Sequence, residues 1–501
     1  IDEYDRTQIK VKNNQPLSII FSHNINGETH PCGCRHFPLG GLPQVAGMIQ
    51  KVKKSNPLIY VDTGDAFFPS STIPETLKNS LIFTAENIAK SFDMQNLEYF
   101  VPGDQDFAAG IQFLHMIANN YKFKFLISNL KDPKLIKHKR WAQINYGKKK
   151  IFLLGFVNPD LINTNKYFLP IETTLEKIIP ELSSQGYSPN NPLHRLILLT
   201  HNGIDNDTLL AKTNHKIDWI IGSHSQSFTR LPRKENNTKL VQVLSRNHYL
   251  GEIKISDNKD KYNLLEIRDE LKSEISPNPF INFIDRHKSD LSVIQEKEQQ
   301  SLTIQTQTVS HLNTASSCIE CHTDQGDHWK KTSHSIAMLT LINNKSEHNL
   351  QCLKCHTLGQ NSPGGYQVSK QIVTLPKTLT QKKYWDLILS EVKTKQAVRK
   401  LSKKQKSKLS NLWLDLDEKN GVIHNLSNVQ CLNCHTKNPD HPFVISDKKT
   451  TQNKYESIKN KCLSCHTNDQ SIHWYDAQSK SLKESNFNKY YNQIKCPKYQ
   501  E

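Results

Sequence analysis

Cys352-Leu353-Lys354-Cys355-His356 places two thiols three residues apart and an imidazole directly after the second. The same pentad stands at Cys318-Ile319-Glu320-Cys321-His322, Cys431-Leu432-Asn433-Cys434-His435 and Cys462-Leu463-Ser464-Cys465-His466. One helical turn carries all three groups to one side. There the thiols reach the two vinyl groups of one porphyrin and the imidazole reaches the iron beneath it, which is the attachment signature of haem c. With 11 cysteines and 22 histidines in 501 residues, chance would supply roughly 0.01 such pentads. Four of them imply four covalently held haem c groups. Zinc ribbons and disulfides share the thiol spacing but do not call for a histidine after the second cysteine each time.

His322, His356, His435 and His466 are then the proximal iron ligands. A second imidazole on the far side makes a low-spin iron suited to electron transfer, whereas an open sixth position permits substrate chemistry. Outside the pentads the same half of the chain holds His311, His328, His334, His348, His424, His441 and His473, more than four distal positions require. A solvated surface histidine is the alternative at each.

Working outward, residues 311–501 read as a tetrahaem domain of short helices with few strand signals. It carries a basic insertion at about 380–420 with Lys393, Lys395, Arg399, Lys400, Lys403, Lys404, Lys406 and Lys408. A solvated helix face is the plain reading of that run, and a docking surface for an acidic redox partner the sharper one. Residues 276–310 read as a polar helix and a Gln/Thr-rich linker. Residues 1–275 differ: apolar runs at 17–21, 58–61, 123–127, 151–157, 196–200, 217–221 and 240–244 read as buried strands. Helical patterns lie between them, at Leu42, Val45, Ile49 and Val52 and at 75–92. Alternating strand and helix predicts a layered α/β domain with ligand chemistry at strand ends.

A net charge of +17 favours acidic partners, such as acidic cytochromes or a membrane-associated electron-transfer complex. No aromatic-interleaved basic motif supports nucleic-acid binding. No run of about 18 apolar residues predicts a transmembrane helix. Haem attachment of this kind takes place on the oxidising side of a membrane, and Ile1 in place of a Met-led leader reads as a mature, exported chain. A periplasmic or extracellular location is therefore expected.

Two resemblances extend these readings. The run Trp329-Lys330-Lys331-Thr332-Ser333-His334, the second pentad with Thr357-Leu358-Gly359, then Pro363-Gly364-Gly365-Tyr366 and Asn428-Val429-Gln430 before the third pentad, resemble the multihaem family typified by the tetrahaem cytochrome of ammonia oxidisers. The resemblance implies that His334 and His441 are distal axial ligands. Two departures stand out: the longer basic insertion, and Cys496 where relatives tend to place a histidine. Cys496 is a free or disulfide-bonded thiol on one reading and an axial thiolate on the other.

In the first half, Asp62-Thr63-Gly64-Asp65, Gly103-Asp104-Gln105-Asp106-Phe107, Thr200-His201-Asn202-Gly203 and Ile221-Gly222-Ser223-His224-Ser225-Gln226 resemble metallophosphoesterases of the 5'-nucleotidase and thiosulfohydrolase type. Those enzymes use two metals to activate one bridging water. The opening Asp-x-His pair falls on Asn24 and Asn26, a second histidine on Gln226, and the leaving-group histidine on Gln105. The resemblance therefore implies loss of the first metal site and of ordinary two-metal hydrolysis. Asp65, Asp104, His201 and His224 remain to hold one divalent ion. His30-Pro31-Cys32-Gly33-Cys34 resembles a branch of this superfamily found beside multihaem cytochromes. Cys32 and Cys34 are candidates for soft metal ligands, a redox pair or a local disulfide. The leading expectation is an electron carrier with an inactive phosphoesterase-like domain. The alternatives are a multihaem oxidoreductase acting on a small nitrogen or sulfur compound, and an oligomeric haem conduit.

Overall fold

A computed structural model describes residues 4–11, 15–31, 38–214, 216–257, 259–300, 312–394, 396–436, 451–476 and 479–497. The chain divides into two compact units, Ile1–Pro31 with Pro38–His287, and Lys288–Glu501.

In chain order the first unit contains β1 (Tyr4–Ile9), β2 (Leu17–Ser22), α1 (Leu42–Ser55), β3 (Leu58–Asp62), α2 (Lys78–Met94), β4 (Leu97–Phe100), α3 (Ile111–Asn120), β5 (Lys124–Leu126), β6 (His138–Lys139), β7 (Trp141–Tyr146), β8 (Lys149–Val157), α4 (Ile171–Ser184), β9 (His194–His201), α5 (Ile204–Thr213), β10 (Trp219–Ile221), β11 (Arg233–Glu235), β12 (Thr238–Val241), β13 (Tyr249–Ile255) and β14 (Lys261–Glu266). They build two seven-stranded sheets, ordered β1-β7-β8-β9-β10-β12-β11 and β14-β13-β2-β3-β4-β5-β6. The centre of each is parallel: β8-β9-β10-β12 in one and β2-β3-β4-β5-β6 in the other.

Side-chain alternation explains the layering. In β8 and β9, Ile151, Leu153, Ile197 and Leu199 join a core shared with Phe21 and Val61 of the other sheet and with Ile88 and Leu114 of α2 and α3. Their neighbours Phe152, Leu154, Leu196 and Leu198 face a second core with Leu175 and Ile178 of α4. Both faces are buried, which is why these strands read as continuous apolar runs. Strands β1, β11 and β14 carry no such run, because they close sheet edges and are only partly buried.

The second unit follows from within α6 (Pro279–Gln300). It contains α7 (Ala315–Ile319), α8 (Thr323–Lys330), α9 (Met338–Asn343), α10 (Leu350–His356), α11 (Gln381–Glu391), α12 (Lys403–Lys419), α13 (Cys431–Cys434), α14 (Thr451–Cys465) and α15 (Glu484–Ile494). The only regular ladder among its described residues pairs Val373–Thr374 with His424–Asn425. The basic stretch is not one helix. α12 begins where Ser402 and Gln405 cap each other reciprocally, Gln405 N–H to Ser402 Oγ at 3.3 Å and Ser402 N–H to Gln405 Oε1 at 2.8 Å. Lys393, Arg399 and Lys400 therefore fall in the connection before it. The unit also has an apolar core of its own, since α11 and α12 bring Tyr384, Ile388 and Trp413 into a cluster with Met338, Leu353 and Tyr366.

The two sheets of the first unit touch at backbone level around Gly155. Ser128 N–H donates to Gly155 O at 2.6 Å, and a Cβ at this glycine would meet the Leu126 carbonyl oxygen and the Val101 side chain. Gly155→Ala is expected to destabilise the unit by about 1–3 kcal/mol through overpacking, read as a lowered midpoint in urea unfolding. An unchanged midpoint would mean that the sheets are not packed this closely.

Candidate functional site

The parallel strands of both sheets end at one place. The segment after β3 carries Asp65 and the segment after β4 carries Asp104. His201 closes β9, and His224 follows β10. Their ligand atoms all lie within 4.8 Å of one another. His201 Nε2 is 3.1 Å from Asp104 Oδ1 and 3.3 Å from Asp65 Oδ1, and His224 Nδ1 is 3.0 Å from Asp104 Oδ1. Asp65 and His201 are fully buried, while the His224 side chain is 35% exposed and forms the open edge. His201 Nδ1 sits 2.8 Å from Thr63 O. Donation of the Nδ1 proton to that carbonyl leaves Nε2 with a lone pair aimed at the carboxylates, the tautomer a metal requires. Asp65, His224 and Gln226 hold left-handed backbone, at φ 56°, 73° and 51°. That conformation is uncommon for His and Gln and is concentrated at ligand-binding loops.

An amide stands beside this cluster. Val243 N–H donates to His23 Nε2 at 2.8 Å, so the His23 proton resides on Nδ1 and is donated to Asn24 Oδ1 at 2.8 Å. His224 N–H donates to the same oxygen at 3.2 Å. With Oδ1 fixed as acceptor, Asn24 Nδ2 donates to Asp65 Oδ2 at 2.9 Å. A carboxylate oxygen that would bridge to a second cation is thereby occupied by a neutral N–H donor. The donor set fits one divalent ion and does not fit two. Asn26 Oδ1 and Gln105 Oε1 are buried beside these segments without a hydrogen-bond partner.

Electrostatics agree with one cation site. Burial alone would lower the His201 pKa, but the Asp65 and Asp104 carboxylates outweigh it and hold the imidazole well above its ordinary value. Burial raises Asp104, and His201 and His224 overcome that and hold it below the usual carboxylate range. Asp106 is pushed up to about 7 by burial and by the Asp65 charge. It accepts the N–H groups of Asp65, Gly103 and Phe67 at 2.8, 2.8 and 2.9 Å and so shapes the loop that presents Asp65. His23, Thr63 and Asp106 escaped the sequence reading as positioning groups. Their signal, a polar residue beside a ligand motif, is common to many loops. Cys32 and Cys34 lie outside the described residues.

In the second unit each pentad occupies a helical turn. His322, His435 and His466 donate backbone N–H to the carbonyl of the first cysteine of their own pentad, at 3.0, 2.9 and 2.9 Å, and the second pentad is the end of α10. None of the eight pentad cysteines, nor Cys496, is joined in a disulfide. Thiols from different pentads approach one another, Cys318 with Cys431 and Cys355 with Cys465, each pair within hydrogen-bond reach. His356 Nδ1 lies 2.7 Å from Ala337 O and His466 Nδ1 2.8 Å from Ser471 Oγ, which leaves each Nε2 for a metal. Cysteines outside any disulfide, half-open pentads and anchored imidazoles fit haem c.

Of the distal candidates, His334 meets a pentad imidazole: its ring centre is 6.3 Å from that of His466 at an interplanar angle of 61°. Burial pushes the His334 imidazole down to about 4, with His356 and Lys406 adding to the effect. His466 stacks on Trp474 at 4.4 Å. His473 packs against Tyr490 at 4.9 Å. His348 Nδ1 pairs with Ser369 Oγ at 2.9 Å, His424 Nε2 with Leu312 O at 2.6 Å and His328 Nε2 with Ile494 O at 3.2 Å. His311 and His441 lie outside the described residues.

Comparison with known proteins divides along the same line. Residues 317–376 match the family model of cytochrome c554 and c-prime. The first half is similar to 5'-nucleotidases of mouse, 22% identical over 258 residues covering 45% of this chain and 42% of the relative, and of human, 21% identical over 248 residues covering 43% and 41%. The chain thus spans less than half the length of these curated relatives. Solved structures resembling it include a sulfate thiohydrolase SoxB of Thermus thermophilus, at TM-score 0.46, 13% identity and 56% and 61% coverage of this chain and that one. Another is a 5'-nucleotidase precursor of the same organism, at TM-score 0.46, 14% identity and 66% and 67% coverage. The amino-terminal unit has the metallophosphoesterase-like α/β fold, and the carboxy-terminal region is mainly helical with a cytochrome c554 segment.

The Asp65 and Asp104 carboxylates raise the His201 pKa, so a metal competes with a proton for this imidazole. Titration with Mn2+ in calorimetry is expected to load about one ion at this cluster. The apparent affinity should rise with pH until the raised His201 pKa is passed, and the heat should depend on buffer ionisation as protons are released. His201→Ala should abolish the binding. Uptake without proton release would contradict the arrangement.

Proposed function

We propose that this chain is a periplasmic or extracellular tetrahaem c-type cytochrome that passes electrons between redox partners. On this reading its amino-terminal unit retains one divalent-ion site and no longer performs two-metal ester hydrolysis. The observation that carries the reading is the set of four pentads, each on a helical turn with its cysteines outside any disulfide and, at His356 and His466, an imidazole anchored through Nδ1. Thioether bonds from Cys318 and Cys321, Cys352 and Cys355, Cys431 and Cys434, and Cys462 and Cys465 would hold the haems, which supply one-electron chemistry when bound.

Two further features support electron transfer over substrate chemistry. The Cys318–Cys431 and Cys355–Cys465 approaches bring attachment points together in pairs, first with third and second with fourth. The His334–His466 separation also matches two imidazoles on one metal, since bonds of roughly 2.0–2.1 Å on each side put the ring centres about 6 Å apart. His334 is assigned as the axial partner of His466, with His441, His311, His348, His424 and His473 left as candidates for the other irons. Lys403, Lys404 and Lys408 are exposed on α12 and suit an acidic redox partner.

A pyridine haemochrome assay is expected to give four haems per chain. In paramagnetic resonance of the oxidised protein, His334→Ala should convert one low-spin signal to high-spin while the haem count holds. Fewer than four haems would overturn the tetrahaem reading, and a spectrum unchanged by His334→Ala would overturn the axial assignment.

For the first unit, the curated relatives are named 5'-nucleotidases, so nucleoside monophosphates with added Mn2+ are the direct assay. No turnover above background is expected, because Asn24 stands where the first cation would sit. Measurable hydrolysis that His201→Ala removes would revive the enzyme reading.

A further inference from the structure

One face of α12 runs Lys406, Ser410, Trp413, Asp417, at helical spacing, and its last three members line a small cavity of about 20 Å3, room for one water-sized guest. Opposite them stand Ser427, Asn425 and Gln430. The cavity lies beside two attachment points. Gln430 immediately precedes Cys431, and its Oε1 accepts Ala315 N–H at 2.5 Å, three residues ahead of Cys318. Ser410 Oγ and Ser427 Oγ are buried without a hydrogen-bond partner, although their residues are 1% and 3% exposed. A water between them would satisfy both hydroxyls.

Asp417 is a buried carboxyl at the end of this cavity. Tyr384 Oη donates to its Oδ1 at 2.8 Å and Asn425 Nδ2 to its Oδ2 at 2.7 Å. Trp413 Nε1 and Asn425 Nδ2 in turn donate to Tyr384 Oη at 3.0 and 2.9 Å. The groups facing the carboxyl are neutral: Tyr384 from α11, Trp413 from its own helix and Asn425 from the 424–430 segment. Charged and titratable groups on the other elements packed against α12 have partners of their own. Lys330 of α8 pairs with Asp327 at 3.4 Å, and His334 neighbours Lys406, three helical turns from Asp417 on the same face. No cation among the described residues pairs with Asp417.

We propose that Asp417 is a redox-linked proton site of the haem-binding unit. When that unit accepts one electron from a one-electron donor, the Asp417 carboxylate takes up one proton from solvent through the guest between Ser410 and Ser427. An O–H bond forms and the added negative charge is cancelled; reoxidation reverses both events. The inference rests on the electron-transfer reading above. Its physical basis is that a buried carboxylate with no counter-cation responds strongly to a new negative charge nearby. Burial pushes Asp417 up to about 6, against the pull of its two hydrogen bonds, so the group is poised to change protonation near neutral pH. Because the folded-state value is raised, the ionised carboxylate costs stability above that pH. The neutral isostere Asp417→Asn should therefore fold.

The test is a spectroelectrochemical titration of the haem-loaded full chain between pH 5 and 8. At least one haem is expected to lose electron affinity as pH rises, by at most tenfold per pH unit, the limit for one proton per electron. Asp417→Asn should remove that slope. Tyr384→Phe, which deletes a donor to the carboxylate, should move the sloping window to higher pH. A slope that persists unchanged in Asp417→Asn would assign the titration to the haem propionates and overturn the proposal. So would a wild-type protein without a slope, or a window that Tyr384→Phe leaves in place. Failure of haem loading, seen in the haemochrome count, would instead strike the electron-transfer reading on which the proposal stands.

Discussion

An imidazole offers a metal one nitrogen, and which one is decided by what holds the other. His201 is held through Nδ1 by the Thr63 carbonyl, His356 by the Ala337 carbonyl and His466 by the Ser471 hydroxyl. In each case the backbone or a short hydroxyl fixes the ring and leaves Nε2 directed outward. The two units are unrelated in architecture, one a pair of parallel-centred sheets and the other a set of short helices, yet they present metal ligands by the same device. The chain around each ligand is arranged to supply a hydrogen-bond acceptor on the correct side, and such partners set both the tautomer and the orientation of a ligand.

This constraint explains why the ligands were legible in the sequence and their supports were not. A pentad fixes its own geometry within five residues, so Cys352 to His356 announce a helical turn and a haem without reference to anything else. The strand runs at 58–61 and 196–200 likewise announce themselves, because burial on both faces leaves no polar alternation to confuse them. Thr63, Ala337 and Ser471 act through a carbonyl or a hydroxyl that any residue or many residues could provide, so no residue type marks them. The same holds for His23, whose role depends on accepting a proton from Val243, 220 residues away in sequence. The His334–His466 encounter spans a comparable gap. Sequence spacing indicates that His334 is available, whereas its pairing with the fourth pentad is a product of tertiary packing.

Asn24 illustrates how one side chain shapes a site. Two cations sharing Asp65 would need both carboxylate oxygens as acceptors. In this chain one of them accepts a hydrogen bond from the Asn24 amide, and the amide cannot turn over, since its oxygen already accepts hydrogen bonds from His23 and from the His224 backbone. Flipping it would set an N–H against two other donors and an oxygen against a carboxylate. The site is thus neither an empty two-metal centre nor a collapsed one. Asp65, Asp104, His201 and His224 keep their approach, and the left-handed backbone at His224 and Gln226 is retained around it. Left-handed backbone of this kind is concentrated at ligand-binding loops.

The insertion between residues 380 and 420 changes the energetics of the helical unit in a way its lysines conceal. A haem-binding set of short helices has little apolar surface of its own, and its packing would depend on the prosthetic groups. Tyr384, Ile388, Trp413 and Leu416 give this one a conventional core against Met338, Leu353 and Tyr366. Fully burying such side chains contributes about 1.5–3 kcal/mol each. The helices α11 and α12 therefore act as a brace beside the attachment points, with the charged face turned to solvent and the apolar face turned in. A brace of this kind can also tolerate a buried, unpaired carboxyl at Asp417, whose desolvation would unfold a less well-packed helix end. The same apolar packing that makes the carboxyl costly to ionise makes its protonation responsive to charge elsewhere in the same unit.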